Sequence, residues 1–156
     1  MGIGYDIHPL VPGRPLVLGG VAFESPVGLM GHSDADVVLH ALMDAMLGAV
    51  GLGDIGQHFP PWEERFHNAS SLSLLGQVYK LTSIEGYVAG NADIVVVCEM
   101  PKIAPRAPEI RQKIAQTLHV EAAVVSIKAT TNEGLGPEGR GEAISSQAVV
   151  LMVRRQ

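Results

Sequence analysis

Apolar residues recur with a helical period over roughly residues 34–50, the clearest pattern in the N-terminal half. The positions that carry this 3.6-residue period are Val37, Val38, Ala41, Leu42, Met46 and Leu47. The pattern predicts a helix capped by Ser33 or Asp34. On that helix Asp36, His40 and Asp44 are spaced i, i+4, i+8, and we expect them to form one polar stripe.

Shorter patterns predict the remaining elements. Strands are expected over residues 1–8, 93–98, 124–129 and 144–153, and a hairpin over 15–23 that turns at Gly19-Gly20. Further helices are expected over 69–83 and from Pro105 to about Leu118, and a surface loop over 54–68. The run 93–98 lacks alternation, which is typical of a strand covered on both faces. This order predicts one α/β domain over 1–156, an α+β sandwich whose mixed sheet carries helices on one face.

Composition and charge argue against several classes of function. The chain has 156 residues, 47% of them apolar and 17% charged, and a net charge of −5. Its few basic residues are scattered, which argues against a nucleic-acid partner. No apolar run approaches the ~20 residues of a membrane span, and no signal peptide is recognisable, so a cytoplasmic protein is expected. The low charge and positive mean hydropathy predict apolar surface hidden against other subunits.

The pair Asp6-x-His8 lies in a predicted strand, where residues two apart point to the same face. With His40 it offers one carboxylate and two imidazoles, which would leave a coordination position open, as in catalytic zinc sites. A surface turn explains most such pairs, and a histidine among apolar residues is usually a core residue. Asp36 and Asp44 lie one turn either side of His40 and strengthen the metal hypothesis, because such a carboxylate can hold the second ring nitrogen. An N-cap at Asp34 and a solvated face would still account for Asp36.

A second segment with candidate chemistry runs from Lys128 to Gly134. A strand that ends in hydroxyls, an amide, a carboxylate and glycines can offer backbone N–H groups to phosphate and a carboxylate to a hard cation. A Thr-rich strand end is the equally good structural explanation. The following Gly-rich stretch lacks the lysine of a Walker loop. Pro101-Lys102 would bind phosphate or simply form a solvated loop.

Taken together, these segments resemble the 2-C-methyl-D-erythritol 2,4-cyclodiphosphate synthase family of the non-mevalonate isoprenoid pathway, end to end. The resemblance is carried, in the family's order, by Gly4-Tyr5-Asp6-Ile7-His8, Gly31-His32-Ser33-Asp34-Ala35-Asp36, His40-Ala41-Leu42, Gly53-Asp54-Ile55-Gly56, Phe59-Pro60, Pro101-Lys102, Lys128-Ala129-Thr130-Thr131 with Glu133, and Gly139-Arg140-Gly141-Glu142.

The resemblance implies a homotrimer of α/β subunits with active sites between neighbours. The implied reaction converts 4-diphosphocytidyl-2-C-methyl-D-erythritol 2-phosphate into the cyclic diphosphate and CMP. Zn²⁺ would be held by Asp6, His8 and His40, and a Mg²⁺ or Mn²⁺ on the diphosphate by Glu133. His32 and Thr131 match positions that stabilise the transition state. The remaining implied substrate contacts are Ser33, Asp54, Ile55, Gly56, Phe59, Glu63, Cys98, Pro101, Lys102, Ile103, Ala104, Thr130, Asn132 and Arg140, besides Asp6, His8, His32, Thr131 and Glu133.

Two departures from the family pattern stand out. After Phe59-Pro60 the chain has Pro61-Trp62-Glu63 where a small hydroxyl residue and an aspartate are usual. Trp62 is predicted to be exposed on a mobile lid; the alternative is that it anchors the loop on a neighbouring subunit. Pro137 stands where an aromatic residue is common near the trimer axis, which leaves open whether a ligand binds in a central cavity.

Two other functional classes compete with this interpretation. A non-haem iron oxygenase also uses two histidines and a carboxylate, but its last histidine usually comes from a distant strand rather than a helix. A non-catalytic trimeric binding protein would share the fold, although an intact metal triad and Glu133 argue against it. Metal analysis separates the first class from a synthase, and CMP release separates the second.

Overall fold

Five strands form one mixed sheet in the computed structural model, which describes residues 1–155. They are β1 (Gly2–Pro12), β4 (Val27–Leu29), β5 (Tyr87–Val97), β6 (Val125–Thr130) and β7 (Ala143–Arg154). The order across the sheet is β4-β1-β7-β5-β6, with β5 and β6 parallel and the other pairs antiparallel. β2 (Leu16–Leu18) and β3 (Val21–Phe23) form the predicted hairpin.

Three long helices pack on one face of this sheet, and two short ones lie in connecting segments. They are α1 (Val37–Ala49), α2 (Ile55–His58), α3 (Ser71–Ile84), α4 (Ala107–Leu118) and α5 (Gly136–Gly139). The core lies between α1, α3 and α4 and the inner side of the sheet, where Leu42, Leu75, Ile94 and Ile114 are fully buried. The predicted α/β fold, with a mixed sheet and helices on one face, is confirmed. Among residues 1–155, every helix is too short or too polar to cross a membrane.

Helix α1 lies unusually close to strand β1, because the strand presents glycines to it. A Cβ at Gly4 would lie 2.0 Å from the Ala41 carbonyl oxygen, and one at Gly2 would lie 2.0 Å from that of Ala45. Only glycine allows this approach of two backbones. Because side chains alternate along a strand, Asp6 and His8 share the inner side with Gly4. The close contact therefore brings His40, next to Ala41, over these two residues.

The other side of the sheet is open to solvent in the single chain; it is apolar along β1 and β7 and more polar along β5 and β6, where Asp93 pairs with Lys128. We call it the outer sheet face; its exposed apolar residues are Ile3, Tyr5 and Ile7 of β1 and Val149, Leu151 and Val153 of β7. In β5, buried and less buried residues alternate, so the prediction that 93–98 is covered on both faces is wrong for the single chain. The unbroken apolar run in the sequence arises because Val95 and Val97, on the outer face, are apolar although they are only half-buried within residues 1–155.

Several element boundaries differ from the sequence prediction. Helix α1 is capped by Asp36 rather than Ser33 or Asp34: its carboxylate accepts hydrogen bonds from the backbone N–H groups of Val38 and Leu39. The predicted loop 54–68 contains α2 and a 3₁₀ turn at Glu64–Phe66. Strand β4, only three residues long, was not predicted from the sequence because so short a segment carries little periodicity.

Candidate active site

Asp6, His8 and His40 come together at the meeting of β1 and α1, with one ligand atom from each within 4.8 Å of the others. The Asp6 Oδ2 atom lies 2.9 Å from His40 Nδ1 and 3.2 Å from His8 Nε2. His40 is buried, whereas Asp6 and His8 are half-buried and face a cavity. One carboxylate and two imidazoles that converge beside open space form a three-ligand metal centre with room for a further ligand.

The outer nitrogen of each histidine already has a partner. His8 Nδ1 lies 2.7 Å from the Met30 carbonyl oxygen, so it carries the proton and leaves Nε2 free toward Asp6. His40 Nε2 lies 3.0 Å from the Ser71 hydroxyl, which directs Nδ1 toward Asp6. The Ser71 hydroxyl in turn donates to the Asp34 carboxylate. Such partners fix the tautomer and ring orientation of metal-binding histidines, so the donor set fits a bound metal ion.

The electrostatics of the cluster favour an ionised carboxylate. Burial alone would raise the pKa of Asp6, but the hydrogen bonds and charges of His40 and His8 outweigh burial and hold this pKa well below its ordinary value. In its protonated form His8 donates to the Asp6 carboxylate, and this hydrogen bond raises the pKa of His8. Asp6 is therefore an anionic ligand at neutral pH.

The predicted polar stripe of Asp36, His40 and Asp44 does not support His40 in the way expected. Asp36 is fully buried and also accepts from the backbone N–H groups of Gly19 and Gly20, so it joins α1 to the β2–β3 turn. Burial raises the pKa of Asp36 to about 6, against the effect of these donors. Asp44 accepts from the Ile55 backbone N–H at 2.8 Å and fixes the start of α2. The partner of the outer His40 nitrogen is Ser71 instead.

A first cavity of about 280 Å³ opens beside the metal centre; we call it the metal cavity. The sequence-predicted residues that line it are Asp6, His8, His32, Ser33, His40, Ile55, Gly56 and Phe59. Its wall also contains Pro61, Phe66 and Leu74, which were not predicted. These three, like Ser71, come from the loop and helix after Phe59, where the sequence contains no recognisable site motif around them.

A second, smaller cavity of about 140 Å³ lies at the ends of β5 and β6; we call it the strand-end cavity. Its lining consists of Cys98, Pro101, Lys102, Ile103, Ala104, Ala129, Thr130 and Thr131, nearly all of them predicted from the sequence. The Cys98 Sγ lies 3.6 Å from the Pro101 carbonyl oxygen, and burial raises the pKa of this thiol to about 11. The two cavities share no lining residue, since β7 lies between β1 and β5.

The remaining predicted site residues, Asp54, Glu63, Asn132, Glu133 and Arg140, line neither cavity. Asp54 caps α2 by accepting from the Gln57 N–H, and Glu63 pairs with Arg65. The Asn132 backbone N–H donates to the Glu99 carboxylate at 3.1 Å. Thr131 Oγ1 donates to Glu133 at 2.9 Å, and Arg140 pairs with Glu142. Trp62 is 82% exposed in the single chain, which agrees both with a lid and with an anchor on a neighbouring subunit.

These features define a class of protein: an α/β sandwich with a three-ligand metal centre in one cavity and a lysine- and hydroxyl-lined pocket in another. Comparison with known proteins then gives the family. The sequence profile of the YgbB family matches residues 1–153, and the chain belongs to that family.

Individual relatives agree over the full length. A 2-C-methyl-D-erythritol 2,4-cyclodiphosphate synthase of Symbiobacterium thermophilum is 59% identical over 155 residues, which cover 99% of each chain. A solved CDP complex of IspF from Plasmodium falciparum has a TM-score of 0.87 at 34% identity and covers 99% of this chain and 96% of the other. The bifunctional IspDF of Campylobacter jejuni has a TM-score of 0.94 at 40% identity; the match covers 98% of this chain but 42% of that longer one.

Proposed function

We propose that the chain converts 4-diphosphocytidyl-2-C-methyl-D-erythritol 2-phosphate into 2-C-methyl-D-erythritol 2,4-cyclodiphosphate and CMP. One observation carries the proposal: the metal cavity and the lysine- and hydroxyl-lined strand-end cavity occur together in a chain that is 59% identical to a 2-C-methyl-D-erythritol 2,4-cyclodiphosphate synthase. The test is release of CMP from this substrate by purified protein. Failure to release CMP while the protein still binds CDP would instead favour the non-catalytic binding protein.

The residues suit an intramolecular phosphoryl transfer. The 2-phosphate of the substrate attacks the β-phosphorus and CMP leaves, so the substrate carries its own nucleophile and no activated serine or cysteine is required. The protein has to hold the two phosphates together and offset their charge. His32 and Ser33 in the metal cavity would orient the attacking end, and Lys102 and Thr131 in the strand-end cavity would hold the leaving nucleotide.

We propose that Asp6, His8 and His40 hold Zn²⁺, which would polarise a phosphate oxygen at its open position. Two imidazoles and one carboxylate, each histidine fixed by an outer hydrogen bond, suit zinc. Elemental analysis of purified protein tests this assignment and separates it from the iron of an oxygenase. Glu133, two residues after Thr131 of the strand-end cavity, is exposed and would bind Mg²⁺ or Mn²⁺ together with the substrate diphosphate.

We also propose a homotrimer in which the metal cavity of one subunit faces the strand-end cavity of its neighbour. The outer sheet face supports association, because its six large apolar side chains are 38–70% exposed in the single chain. Separate cavities that share no lining residue support an active site completed by a second subunit. Arg140, on the loop before β7, would lie near a neighbour as well.

Mixing two inactive variants tests the shared site. His40→Ala damages the metal cavity and Lys102→Ala the strand-end cavity, so a mixed trimer contains some interfaces with both halves intact. After subunit exchange, the mixture should recover part of the activity that neither variant has alone. Absence of recovery, when mass spectrometry has proved exchange, would contradict the shared site.

The loop around Trp62 is proposed to close over the metal cavity. Pro61 lines that cavity, whereas the neighbouring Trp62 points to solvent. Lids over phosphoryl-transfer sites exclude water. The fluorescence of Trp62, the single tryptophan in the chain, should change when CDP or substrate binds. Identical emission with and without saturating ligand would mean that the loop does not close and that Glu63 is not a substrate contact.

A further inference from the structure

Arg14 lies outside both cavities but is hydrogen-bonded to the wall of one of them. It stands in the loop between β1 and β2, and its Nη2 donates to the Ser33 carbonyl oxygen at 2.8 Å. The Ser33 hydroxyl accepts from the Ala35 backbone N–H at 3.1 Å and lies 3.3 Å from His40 Nε2. The guanidinium of Arg14 therefore holds a residue whose side chain touches a member of the metal centre.

The backbone of Arg14 is itself held firmly by the sheet. Val11 of β1 is paired with Gly28 of β4, and Gly28 lies against the chain just after that pair. A Cβ at Gly28 would lie 2.4 Å from the Arg14 carbonyl oxygen and 2.3 Å from that of Pro15. Only glycine permits this contact, so the loop packs closely against β4 and the backbone of Arg14 is fixed in position.

The segment that Arg14 reaches is also tethered by backbone hydrogen bonds to the chain before α3. The His32 carbonyl oxygen accepts from the Asn68 backbone N–H at 2.9 Å, and the Asp34 N–H donates to the Ala69 carbonyl oxygen at 3.2 Å. Both come from the loop before α3, where Asn68 is exposed and has a φ of 57°. A surface loop is a less rigid support than a sheet. Arg14 thus adds a side-chain connection to those that already join this stretch to β1, through the Met30 N–H and the Pro9 carbonyl oxygen, and to α3, through the Ser71 N–H and the Asp34 carboxylate.

Packing does not replace that connection. A cavity of about 290 Å³ lies behind the segment, lined by Arg14, Pro15, Val17, Ser33, Asp34 and Asn68. Within residues 1–155, the Arg14 Nε atom is one of two buried side-chain polar atoms without a hydrogen-bond partner. An unpaired buried donor is unfavourable for stability, and native proteins keep few of them. Arg14 is therefore not explained by stability alone.

We propose that Arg14 is a positioning residue, which holds His32 and Ser33 in the orientation that the cyclisation needs. Arg14 does not touch substrate; it acts through the Ser33 carbonyl and, from there, on the neighbouring His32 imidazole and the Ser33 hydroxyl. The inference rests on the proposed function of the metal cavity. It adds a residue from the β1–β2 loop, which none of the sequence motifs contains.

The test compares Arg14→Met with Arg14→Lys and with Arg111→Met. Arg111 is a matched control, because it also donates to backbone carbonyls, those of Ala122 and Val125, but lies on α4 away from the metal cavity. A misplacement of about 1 Å at a reacting group can cost ~100-fold in rate, so Arg14→Met should lower kcat about 10- to 100-fold. Arg14→Lys, which keeps a donor, should lose less. CDP affinity and metal content should stay at wild-type values in all three variants.

Hydrogen exchange provides a readout that is independent of turnover. The Asn68 amide is protected by the His32 carbonyl oxygen, so its exchange should quicken in Arg14→Met and stay unchanged in Arg111→Met. If wild-type protein forms no cyclic product, the proposed function fails, while the exchange of Asn68 still decides whether Arg14 holds the segment. Unchanged kcat and unchanged exchange in Arg14→Met would overturn the proposal, as would an equal loss of kcat in Arg111→Met. Should Arg14→Met not fold, Arg14→Lys is judged by the same measurements.

Discussion

The metal cavity and the strand-end cavity are built by different means. In the metal cavity, Asp6 and His8 project from the middle of a long strand, and His40 from a helix packed on that strand. In the strand-end cavity, Lys102 and Thr131 lie just beyond β5 and β6, where the chain leaves the sheet. Regular elements hold the first set of side chains, whereas loops hold the second.

This difference suits the two tasks. A metal centre needs ligand atoms fixed to a fraction of an ångström, which packed strands and helices provide better than loops. A pocket for a nucleotide must admit and release its ligand, and it gains from backbone groups that only loops leave unpaired. We therefore expect changes around the metal cavity to act through geometry and stability, and changes around the strand-end cavity to act through ligand affinity.

The largest expected effect separates the two cavities directly. His40→Ala should abolish metal retention and turnover, because it removes one of three ligands, yet leave CDP affinity unchanged. Lys102→Ala should retain the metal and weaken CDP binding by about 10- to 100-fold, since hydrogen bonds to charged groups contribute ~1.5–3 kcal/mol. Elemental analysis and calorimetric CDP titration measure these effects. Lys80→Ala, on the exposed side of α3, is the control for loss of positive charge. Stoichiometric metal in His40→Ala would contradict the assignment of His40 as a metal ligand.

A smaller effect on metal binding is expected for a residue that contacts a metal ligand but not the metal itself. Ser71→Ala removes the hydroxyl 3.0 Å from His40 Nε2 and should lower metal affinity about 10- to 100-fold, the usual result of losing such a partner. Competition with a chelator of known affinity measures the change. Ser73→Ala, two residues along the same helix and exposed, should leave metal affinity at the wild-type value. Equal affinity in both variants would mean that Ser71 does not orient His40.

The sequence predicted the ligands better than their supports. The metal triad could be predicted because Asp6-x-His8 lies on a strand and His40 within a helical period, and both patterns are local. Ser71 could not be predicted as the partner of His40, because the two residues are 31 positions apart and a serine at a helix start has an ordinary role as a cap. For the same reason Asp36 was assigned to the His40 stripe, although its carboxylate faces the β2–β3 turn.

The fold was predicted for similar reasons, and its errors are informative. Long strands and helices produce strong periodic patterns, so their order and the mixed sheet were correct. The single-sided burial of β5 was not, because apolar residues on the outer sheet face look the same in sequence as residues covered by a helix. The close approach of α1 to β1 depends on Gly2 and Gly4. The sequence alone does not show this, because it does not reveal that these glycines face the backbone of α1.

That close approach gives the third prediction, on stability. Gly4→Ala places a methyl group 2.0 Å from the Ala41 carbonyl oxygen, so α1 must move away from β1. Overpacking of this kind lowers the free energy of unfolding by about 1–3 kcal/mol, and the shift of His40 should also weaken metal binding. Urea denaturation at fixed protein concentration measures the first effect.

Gly76→Ala is the matched control for this change. Gly76 lies inside α3, and a Cβ there would meet nothing closer than 3.8 Å, so alanine should raise the free energy of unfolding by about 0.5–1 kcal/mol. Opposite signs for the two glycine variants are the expected result. A Gly4→Ala protein as stable as wild type would contradict the close packing of α1 on β1.

The smallest effect concerns Cys98 in the strand-end cavity. Burial raises the pKa of this thiol to about 11, and the thiolate is the reactive form, so only ~1 in 10⁴ molecules carries the reactive form at pH 7. Alkylation of the native protein should therefore be slow and should quicken about tenfold for each pH unit up to about pH 10, because the pH approaches the thiol pKa from below. Mass spectrometry of iodoacetamide-treated protein measures the rate, with denaturant-unfolded protein as the control.

Saturating CDP should slow the reaction further if the nucleotide lies against Cys98. Native and unfolded protein reacting at equal rates at pH 8 would mean that the strand-end cavity is open enough to leave this thiol hydrated.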